Sequence, residues 1–138
     1  MDAVLYMPDG NRRFALDKGI SLFEAYYRGG KTLKLFSEFF IVERRAKIFI
    51  YHALSDYTYK RTDSSLDSIH TAALRTFEDL VKKDFFRKMG IKVRIVGDTE
   101  RLPVKLKRIL KSLSDSTEKG KNGEVIILGV ILLKKILI

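Results

Sequence analysis

Three short polar segments of this sequence contain the residue types that bind phosphate groups. They are residues 9–13 (Asp-Gly-Asn-Arg-Arg), residues 55–61 and residues 97–101. Arginine can hold phosphate oxygens through two parallel hydrogen bonds, and glycine lets backbone N–H groups approach an anion closely. The first segment therefore has the chemistry of a diphosphate site. The same residue types would also suit an ordinary turn with solvated arginines.

The carboxylate of the first segment suggests a metal ion. Asp9 would repel a phosphate directly, but it could bind one through Mg²⁺, which prefers one or two carboxylates together with substrate phosphates. The second segment could extend an anion site through Ser55, Tyr59, Lys60 and Arg61, or it could be only a polar connection. In the third segment we expect Asp98 to order a turn.

The apolar pattern around these segments predicts alternating strands and helices. Short apolar runs predict strands at residues 3–7, 47–54, 91–96 and 125–133, and apolar residues at helical spacing predict helices at 21–44, 64–89 and 103–118. This order predicts one α/β domain over residues 1–138, with a mainly parallel sheet and helices on both faces. Because ligands bind outside the carboxyl ends of parallel strands, the three polar segments should meet along one edge.

The first long predicted helix has two further sequence signals. Ser21 followed by Glu24 is typical of a helix start, because the serine hydroxyl can accept a hydrogen bond from the backbone three residues on. Gly29 and Gly30 each cost about 1 kcal/mol relative to alanine inside a helix. We therefore expect either a close packing contact or a break in the helix at this pair.

Composition excludes several functional classes. The chain has 138 residues, a net charge of +10 and no cysteine, so disulfide scaffolds, thiolate zinc sites and cysteine nucleophiles are excluded. We expect the two histidines, His52 and His70, to be structural. No apolar run reaches the ~18–20 residues that a membrane span needs, and no export signal is visible, so we expect a cytoplasmic protein. The basic charge favours polyanions: nucleic acid, anionic lipid headgroups or phosphorylated small molecules.

Residues 7–15 (Met-Pro-Asp-Gly-Asn-Arg-Arg-Phe-Ala) closely resemble the signature of the cis-prenyltransferases, the undecaprenyl and polyprenyl diphosphate synthase family. Further similarities follow in the family's order along nearly the whole chain. Residues 51–61 resemble the family's Y-A-F-S-x-E-N-W-x-R strand and loop, and residues 93–102 are similar to its R-I-I-G-D-x-x-R-L segment. Gly29 fits a glycine in the helix after the signature, and Asn122-Gly123 resembles its N-T-G motif.

The resemblance implies a reaction and a set of site residues. The family condenses isopentenyl diphosphate onto an allylic diphosphate, and the growing chain lies in an apolar tunnel between helices and sheet. By position, Asp9 would be the essential acid that holds Mg²⁺, and Asn11 would be catalytic with it. The residues implied to bind substrate are Gly10, Asn11, Arg12, Arg13, Phe14, Ser55, Tyr59 and Arg61.

The sequence also departs from the family's pattern. Leu22 and Tyr26 stand where the family has an arginine and a histidine, and Tyr57 and Thr58 stand at its E-N pair. The family's R-x-S-G-x-x-R-x-S segment, which the resemblance implies for isopentenyl diphosphate binding, does not occur in these 138 residues. We therefore expect this chain alone to condense isopentenyl diphosphate poorly or not at all.

Two alternatives to an active synthase stay open. One is a non-catalytic relative or partner subunit that binds allylic diphosphate, and the other is a basic nucleic-acid-binding module, for which the sequence carries no known motif. We expect a homodimer or larger assembly built through the apolar C-terminal strand, because an uncovered strand edge pairs with other chains. Peripheral membrane contact would come through the product.

Overall fold

The computed structural model describes residues 2–8, 11–53 and 65–129. Four strands form one sheet: β1 (Ala3–Tyr6), β2 (Ile48–His52), β3 (Ile91–Val96) and β4 (Gly123–Leu128). They lie in the order β1-β2-β4-β3, and all three pairings are parallel. The predicted parallel α/β architecture is confirmed.

The helices are more divided than the sequence predicted. They are α1 (Asn11–Lys18), α2 (Leu22–Ser37), a π-helical segment (Glu38–Glu43), α3 (Ser65–Lys82), α4 (Phe85–Lys88) and α5 (Val104–Ser116). Helix α1 was not predicted from the sequence. Each of the first two long predicted helices is divided into two segments, whereas α5 agrees with the third.

The first long helix begins as predicted and then changes its hydrogen-bond pattern. The Ser21 hydroxyl accepts a hydrogen bond from the Glu24 backbone N–H at 3.0 Å, which confirms the predicted cap. Near its end, the Arg44 N–H donates to the Phe39 carbonyl at 2.9 Å, five residues back. This is the π-helical spacing, which widens the turn before β2.

The second long helix breaks at a residue that gives no sequence signal. Asp84 has a φ of 53°, in the left-handed region that non-glycine residues seldom adopt. Its carboxylate accepts a hydrogen bond from the Arg87 side chain at 2.7 Å, which holds the start of α4. The predicted stop at Gly90 is confirmed, since Gly90 follows α4 with a φ of 68°.

The core lies between one face of the sheet and the helices α2, α3 and α5. Alternate residues of the strands point into it, as the period of two requires. From the sheet they are Phe49, Tyr51, Val93, Val125 and Ile127, and from the helices they include Leu33, Phe77, Leu106 and Leu110. These buried side chains fix where the carboxyl ends of the strands lie.

The position of β4 corrects the expectation about assembly. β4 lies between β2 and β3, so the strand over Gly123–Leu128 has partners on both sides and offers no open edge. The prediction that this strand pairs with another chain is wrong, and the edges of the described sheet are β1 and β3. Residues 130–138, which were also part of that prediction, lie outside the described residues. Within the described residues, no helix has the length and apolar content needed to cross a bilayer.

Candidate functional site

A cavity of about 520 Å³ lies between the sheet and the helices α2, α3 and α5. Its volume is in the range of small-molecule sites. Most of its wall is apolar and comes from the residues that form the core. We call these wall residues the body of the cavity: Leu33, Tyr51, Ile69, Ala72, Phe77, Ile95, Leu102, Leu106, Leu110 and Ile127.

The open end of this cavity carries the polar groups. We call Pro8, Asn11, Arg12, Arg13 and Leu16, which lie just after β1 and on α1, the mouth of the cavity. The lining there also includes residues directly after β2 and β4, so the mouth lies at the carboxyl edge of the sheet. Ligands of parallel α/β sheets bind at this edge.

Helix α1 presents the mouth residues because only one of its side chains is buried. Ala15 is buried, whereas Arg12 and Arg13 are exposed in the first turn. The helix ends at Gly19, whose φ of 64° is left-handed and whose N–H donates to the Leu16 carbonyl at 3.3 Å. The N-terminus of α1 lies at the cavity, because Asn11, Arg12 and Arg13 of its first turn line it, and the helix dipole favours an anion there.

Two adjacent glycines of α2 let neighbouring helices approach it closely. A Cβ atom on Gly29 would lie 2.9 Å from Oδ1 of Asn11, and one on Gly30 would lie 2.4 Å from Oγ1 of Thr76. Helix α2 continues through both residues. Of the two predicted outcomes for this glycine pair, the structure therefore confirms the close packing contact.

Tyr51 contributes a buried hydroxyl group to the body of the cavity. Burial raises the pKa of the Tyr51 phenol to about 12, and a hydrogen bond with Thr32 only partly opposes this shift. Tyr51 is therefore a neutral phenol at physiological pH. Tyr51 therefore adds no charge to the wall of the body, which suits an apolar ligand.

The two histidines lie outside the cavity lining. Burial lowers the pKa of His52 and of His70, and the nearby Asp67 partly opposes the shift at His70. Nε2 of His52 is buried and has no hydrogen-bond partner among the described residues. Asp98 has the turn role that the sequence predicted, because its Oδ1 accepts a hydrogen bond from the Glu100 backbone N–H at 3.0 Å.

The chain is similar in sequence and in fold to known proteins. The family model for undecaprenyl diphosphate synthases matches residues 7–131. This chain belongs to that prenyltransferase family. It is 30% identical over 112 residues to the tritrans,polycis-undecaprenyl-diphosphate synthase (geranylgeranyl-diphosphate specific) of Sulfurisphaera tokodaii, and the match covers 81% of this chain and 43% of the relative.

A second relative agrees with this assignment, and a solved structure agrees with the fold. The enzyme of the same name from Picrophilus torridus is 31% identical over 114 residues, which are 83% of this chain and 44% of the relative. The crystal structure of lavandulyl diphosphate synthase from Lavandula x intermedia, solved with dimethylallyl diphosphate, matches with a TM-score of 0.75 and 22% identity, over 93% of this chain and 54% of that one. That structure supports the fold alone. The chain spans less than half the length of the two relatives.

The structure brings together some of the site residues that the family resemblance implied. Asn11, Arg12 and Arg13 all line the mouth, whereas Phe14 does not line the cavity and is partly exposed on α1. The remaining predicted site residues, which are Asp9, Gly10, Ser55, Tyr59 and Arg61, lie outside the described residues, as does Lys60. Among the residues that the structure does describe, no group of three or more His, Cys, Asp or Glu side chains could hold a metal.

Several lining residues were not predicted as site residues. Leu16 and Tyr26 reach the lining from α1 and α2, and Leu102, Leu106 and Leu110 come from α5 and the turn before it. Of these residues, Tyr26, Leu106 and Leu110 belong to the helical spacing that predicted a core. No signal in that spacing indicates that the helices leave space between themselves and the sheet.

Proposed function

We propose that this chain binds an allylic prenyl diphosphate and that the binding serves cis-prenyl transfer to isopentenyl diphosphate. One observation carries the proposal: an apolar cavity of about 520 Å³ opens beside Asn11, Arg12 and Arg13. The apolar body and the basic mouth of the cavity match the two parts of an allylic prenyl diphosphate, which are an apolar chain and a highly charged end. The family membership of the chain favours this ligand over the nucleic-acid alternative.

The mouth supplies the groups that would hold the diphosphate. Two guanidinium groups on the first turn of α1 can each offer paired hydrogen bonds to phosphate oxygens, and the helix dipole adds to their field. In the proposed reaction the C–O bond to the diphosphate breaks, a C–C bond to isopentenyl diphosphate forms, and a proton leaves. Fixed positive groups at the mouth would stabilise the charge that develops on the departing diphosphate.

The body of the cavity supplies the apolar environment for the prenyl chain. Each buried CH₂ group contributes about 0.8 kcal/mol of binding free energy before the entropy cost of binding is subtracted. The lining side chains from α2, α3 and α5 are aliphatic or aromatic except for Thr76, whose hydroxyl donates to the Ala72 carbonyl, and Tyr51 is neutral. A chain of several isoprene units would therefore be held mainly by apolar contacts.

Mg²⁺ is part of the proposal through Asp9. Asp9 lies in the sequence between Pro8 and Asn11, both of which line the mouth. A single carboxylate together with diphosphate oxygens is a donor set that suits Mg²⁺, which keeps its other positions for water. When bound, the metal would neutralise part of the diphosphate charge.

The proposal is tested by titrating the chain with geranylgeranyl diphosphate in the presence of Mg²⁺. The names of both relatives specify geranylgeranyl diphosphate, which makes it the first ligand to try. Asp9→Ala and Arg13→Ala should each weaken binding by about tenfold or more, because each removes a charge-assisted contact worth about 1.5–3 kcal/mol. Lys18→Ala, at the far end of α1, is the matched control. Absence of binding, or binding that neither site variant weakens, would contradict the proposal.

A second measurement separates the active synthase from the non-catalytic alternative. Tyr26 lines the cavity at the position where the family has a histidine, and the 138 residues contain no R-x-S-G segment. Loss of positioning and charge stabilisation for one substrate commonly removes several orders of magnitude in rate. We therefore expect this chain alone to bind geranylgeranyl diphosphate but to incorporate labelled isopentenyl diphosphate very slowly. Incorporation at an ordinary enzymatic rate, a turnover of about 1 s⁻¹ or more, would contradict this expectation.

A further inference from the structure

The two adjacent glycines of α2 face different helices. The space in which a Gly29 side chain would lie is occupied by the Asn11 side chain of α1, with Oδ1 at 2.9 Å and both Cγ and Nδ2 at 3.5 Å from an ideal Cβ position. The corresponding space at Gly30 is occupied by Thr76 of α3, with Oγ1 at 2.4 Å. An alanine at either position would force something to move. At position 29 the nearest atoms all belong to a mouth residue.

The turn of α2 that follows Gly29 is anchored in the core. The Thr32 hydroxyl donates a hydrogen bond to the Gly29 carbonyl at 2.6 Å within α2, and Thr32 lies near enough to the Tyr51 phenol of β2 to affect its pKa. Leu33 and Tyr51 are both buried in the core, so moving this part of α2 would disturb the packing between α2 and the sheet. A side chain at position 29 therefore could not be accommodated by moving this turn of α2 away from α1.

The same turn is held from the side of α3. Gly30 lies against Thr76, which is buried and whose hydroxyl donates to the Ala72 carbonyl at 2.8 Å. Helix α2 is thus fixed between β2 and α3, whereas α1 is a helix of eight residues with one buried side chain. Asn11, in the first turn of α1, is the group that would move.

We propose that Gly29 is a positioning residue for the mouth of the cavity. Because Gly29 has no side chain, Asn11 can lie against α2, and this contact sets the place of the first turn of α1. Arg12 and Arg13 follow Asn11 directly in that turn, so their approach to a diphosphate depends on the same contact. This inference rests on the proposed function, because the mouth is taken to bind the diphosphate.

The test uses the full chain and five variants: Gly29→Ala, Gly30→Ala, Asn11→Ala and the two glycine variants each combined with Asn11→Ala. The melting temperature tests the contact without any ligand. Alanine in place of an unobstructed helical glycine stabilises a helix by about 1 kcal/mol. Gly29→Ala should therefore raise the melting temperature more in the Asn11→Ala background than in the otherwise unchanged chain, where the Asn11 side chain must move to make room. Gly30→Ala should lower it in both backgrounds, because its obstacle is Thr76.

Affinity for geranylgeranyl diphosphate with Mg²⁺ tests the positioning role. Gly29→Ala should weaken binding by about tenfold, the scale of one hydrogen bond to a charged group. In the Asn11→Ala background the same change should have an effect within about twofold, because residues that act through one contact are not additive. Any effect of Gly30→Ala on affinity should persist in that background. An effect on affinity that depends on Asn11 indicates that Gly29 positions the mouth, whereas an effect that does not depend on Asn11 indicates general damage to α2.

The outcomes separate this inference from the proposed function. If the unchanged chain does not bind geranylgeranyl diphosphate, the proposed function fails, and the positioning role fails with it, even where the melting temperatures confirm the contact. If the chain binds the ligand but Gly29→Ala has no effect on affinity, or has the same effect with and without Asn11, then Gly29 does not act through Asn11 and this inference alone is overturned.

Discussion

The mouth of the cavity comes almost entirely from one short helix, whereas its body comes from three helices and the sheet. Arg12, Arg13 and Leu16 are exposed on α1. The body residues Leu33, Phe77 and Leu106 are buried and each belongs to a different helix. A change at the mouth should therefore alter ligand binding with little effect on folding, whereas a change in the body should alter the free energy of unfolding first.

This difference follows from what each region must do. A diphosphate needs positive groups that water can reach before the ligand arrives, so the mouth residues make few contacts with the core. A prenyl chain needs apolar walls, and the same side chains that line the body also hold the sheet to the helices. The body therefore serves folding and binding together, and the predictions below test how separate the two regions are.

The largest expected effect comes from Phe77→Ala in the body. Phe77 is 4% exposed, and truncating a buried phenylalanine typically costs about 3–5 kcal/mol of unfolding free energy. Arg13→Ala at the mouth should cost no more than about 0.5 kcal/mol, as exposed substitutions usually do. Urea unfolding of the two variants measures both costs. Equal losses would show that the mouth and the body are not separate in folding.

The second prediction concerns pH and the hydroxyl group of the body. The Tyr51 phenol ionises near pH 10 in the unfolded chain and near pH 12 in the folded one. Between these values the unfolded state holds fewer protons, so this group's contribution to stability is complete below pH 10 and is lost as the pH rises toward 12. The slope is at most about 1.4 kcal/mol per pH unit.

Tyr51→Phe is the control that isolates this slope. Other groups also titrate at high pH, but they are common to both chains, so only the difference between the two unfolding curves is assigned to Tyr51. We expect urea unfolding at pH 9 and 10 to give a constant difference in unfolding free energy between the unchanged chain and Tyr51→Phe. At pH 11 the unchanged chain should have lost more unfolding free energy than the variant. Identical slopes above pH 10 would mean that the phenol is not buried in the body as described.

Apolar periodicity predicted the body only as a core, whereas the family resemblance implied an apolar tunnel between the helices and the sheet, where the cavity lies. Apolar periodicity predicted the strands and the long helices, and every described strand lies within or close to its predicted range. The order β1-β2-β4-β3 was not predictable, because it depends on which strands meet after the chain has folded. For that reason the expected open edge at β4 was wrong.

The mouth shows the opposite pattern. Its residue types were visible in the sequence at once, but α1 was not, because only Ala15 of its eight residues is buried and its other side chains give little helical pattern. The left-handed break at Asp84 and the π-helical turn near Phe39 were hidden for a related reason. Tertiary packing selects both, and neither has a glycine or a proline to mark it.

The third prediction refines the chemistry of the mouth. Arg13→Lys keeps the positive charge but loses the planar pair of donors that matches phosphate oxygens. We expect it to weaken binding of geranylgeranyl diphosphate by about three- to tenfold, less than Arg13→Ala, because part of the charge-assisted interaction remains. Equilibrium titration at two salt concentrations measures it, with Lys18→Arg on the same helix as the matched control. If Arg13→Lys binds as weakly as Arg13→Ala, the mouth depends on donor geometry rather than on charge.

The smallest expected effect is at Leu16, the one mouth residue with a long aliphatic side chain. Leu16 is 83% exposed yet lines the cavity, so it lies where the apolar body reaches the surface. Leu16→Ser should leave the unfolding free energy within about 0.5 kcal/mol, since little of the side chain is buried. It should weaken geranylgeranyl diphosphate binding by about two- to fivefold, because a bound prenyl chain would cover about one CH₂ group's worth of this side chain. Inorganic pyrophosphate has no apolar part, so its affinity should not change. If titrations show the same loss for both ligands, Leu16 acts on the charged end of the ligand, and the mouth and the body do not divide the ligand as proposed.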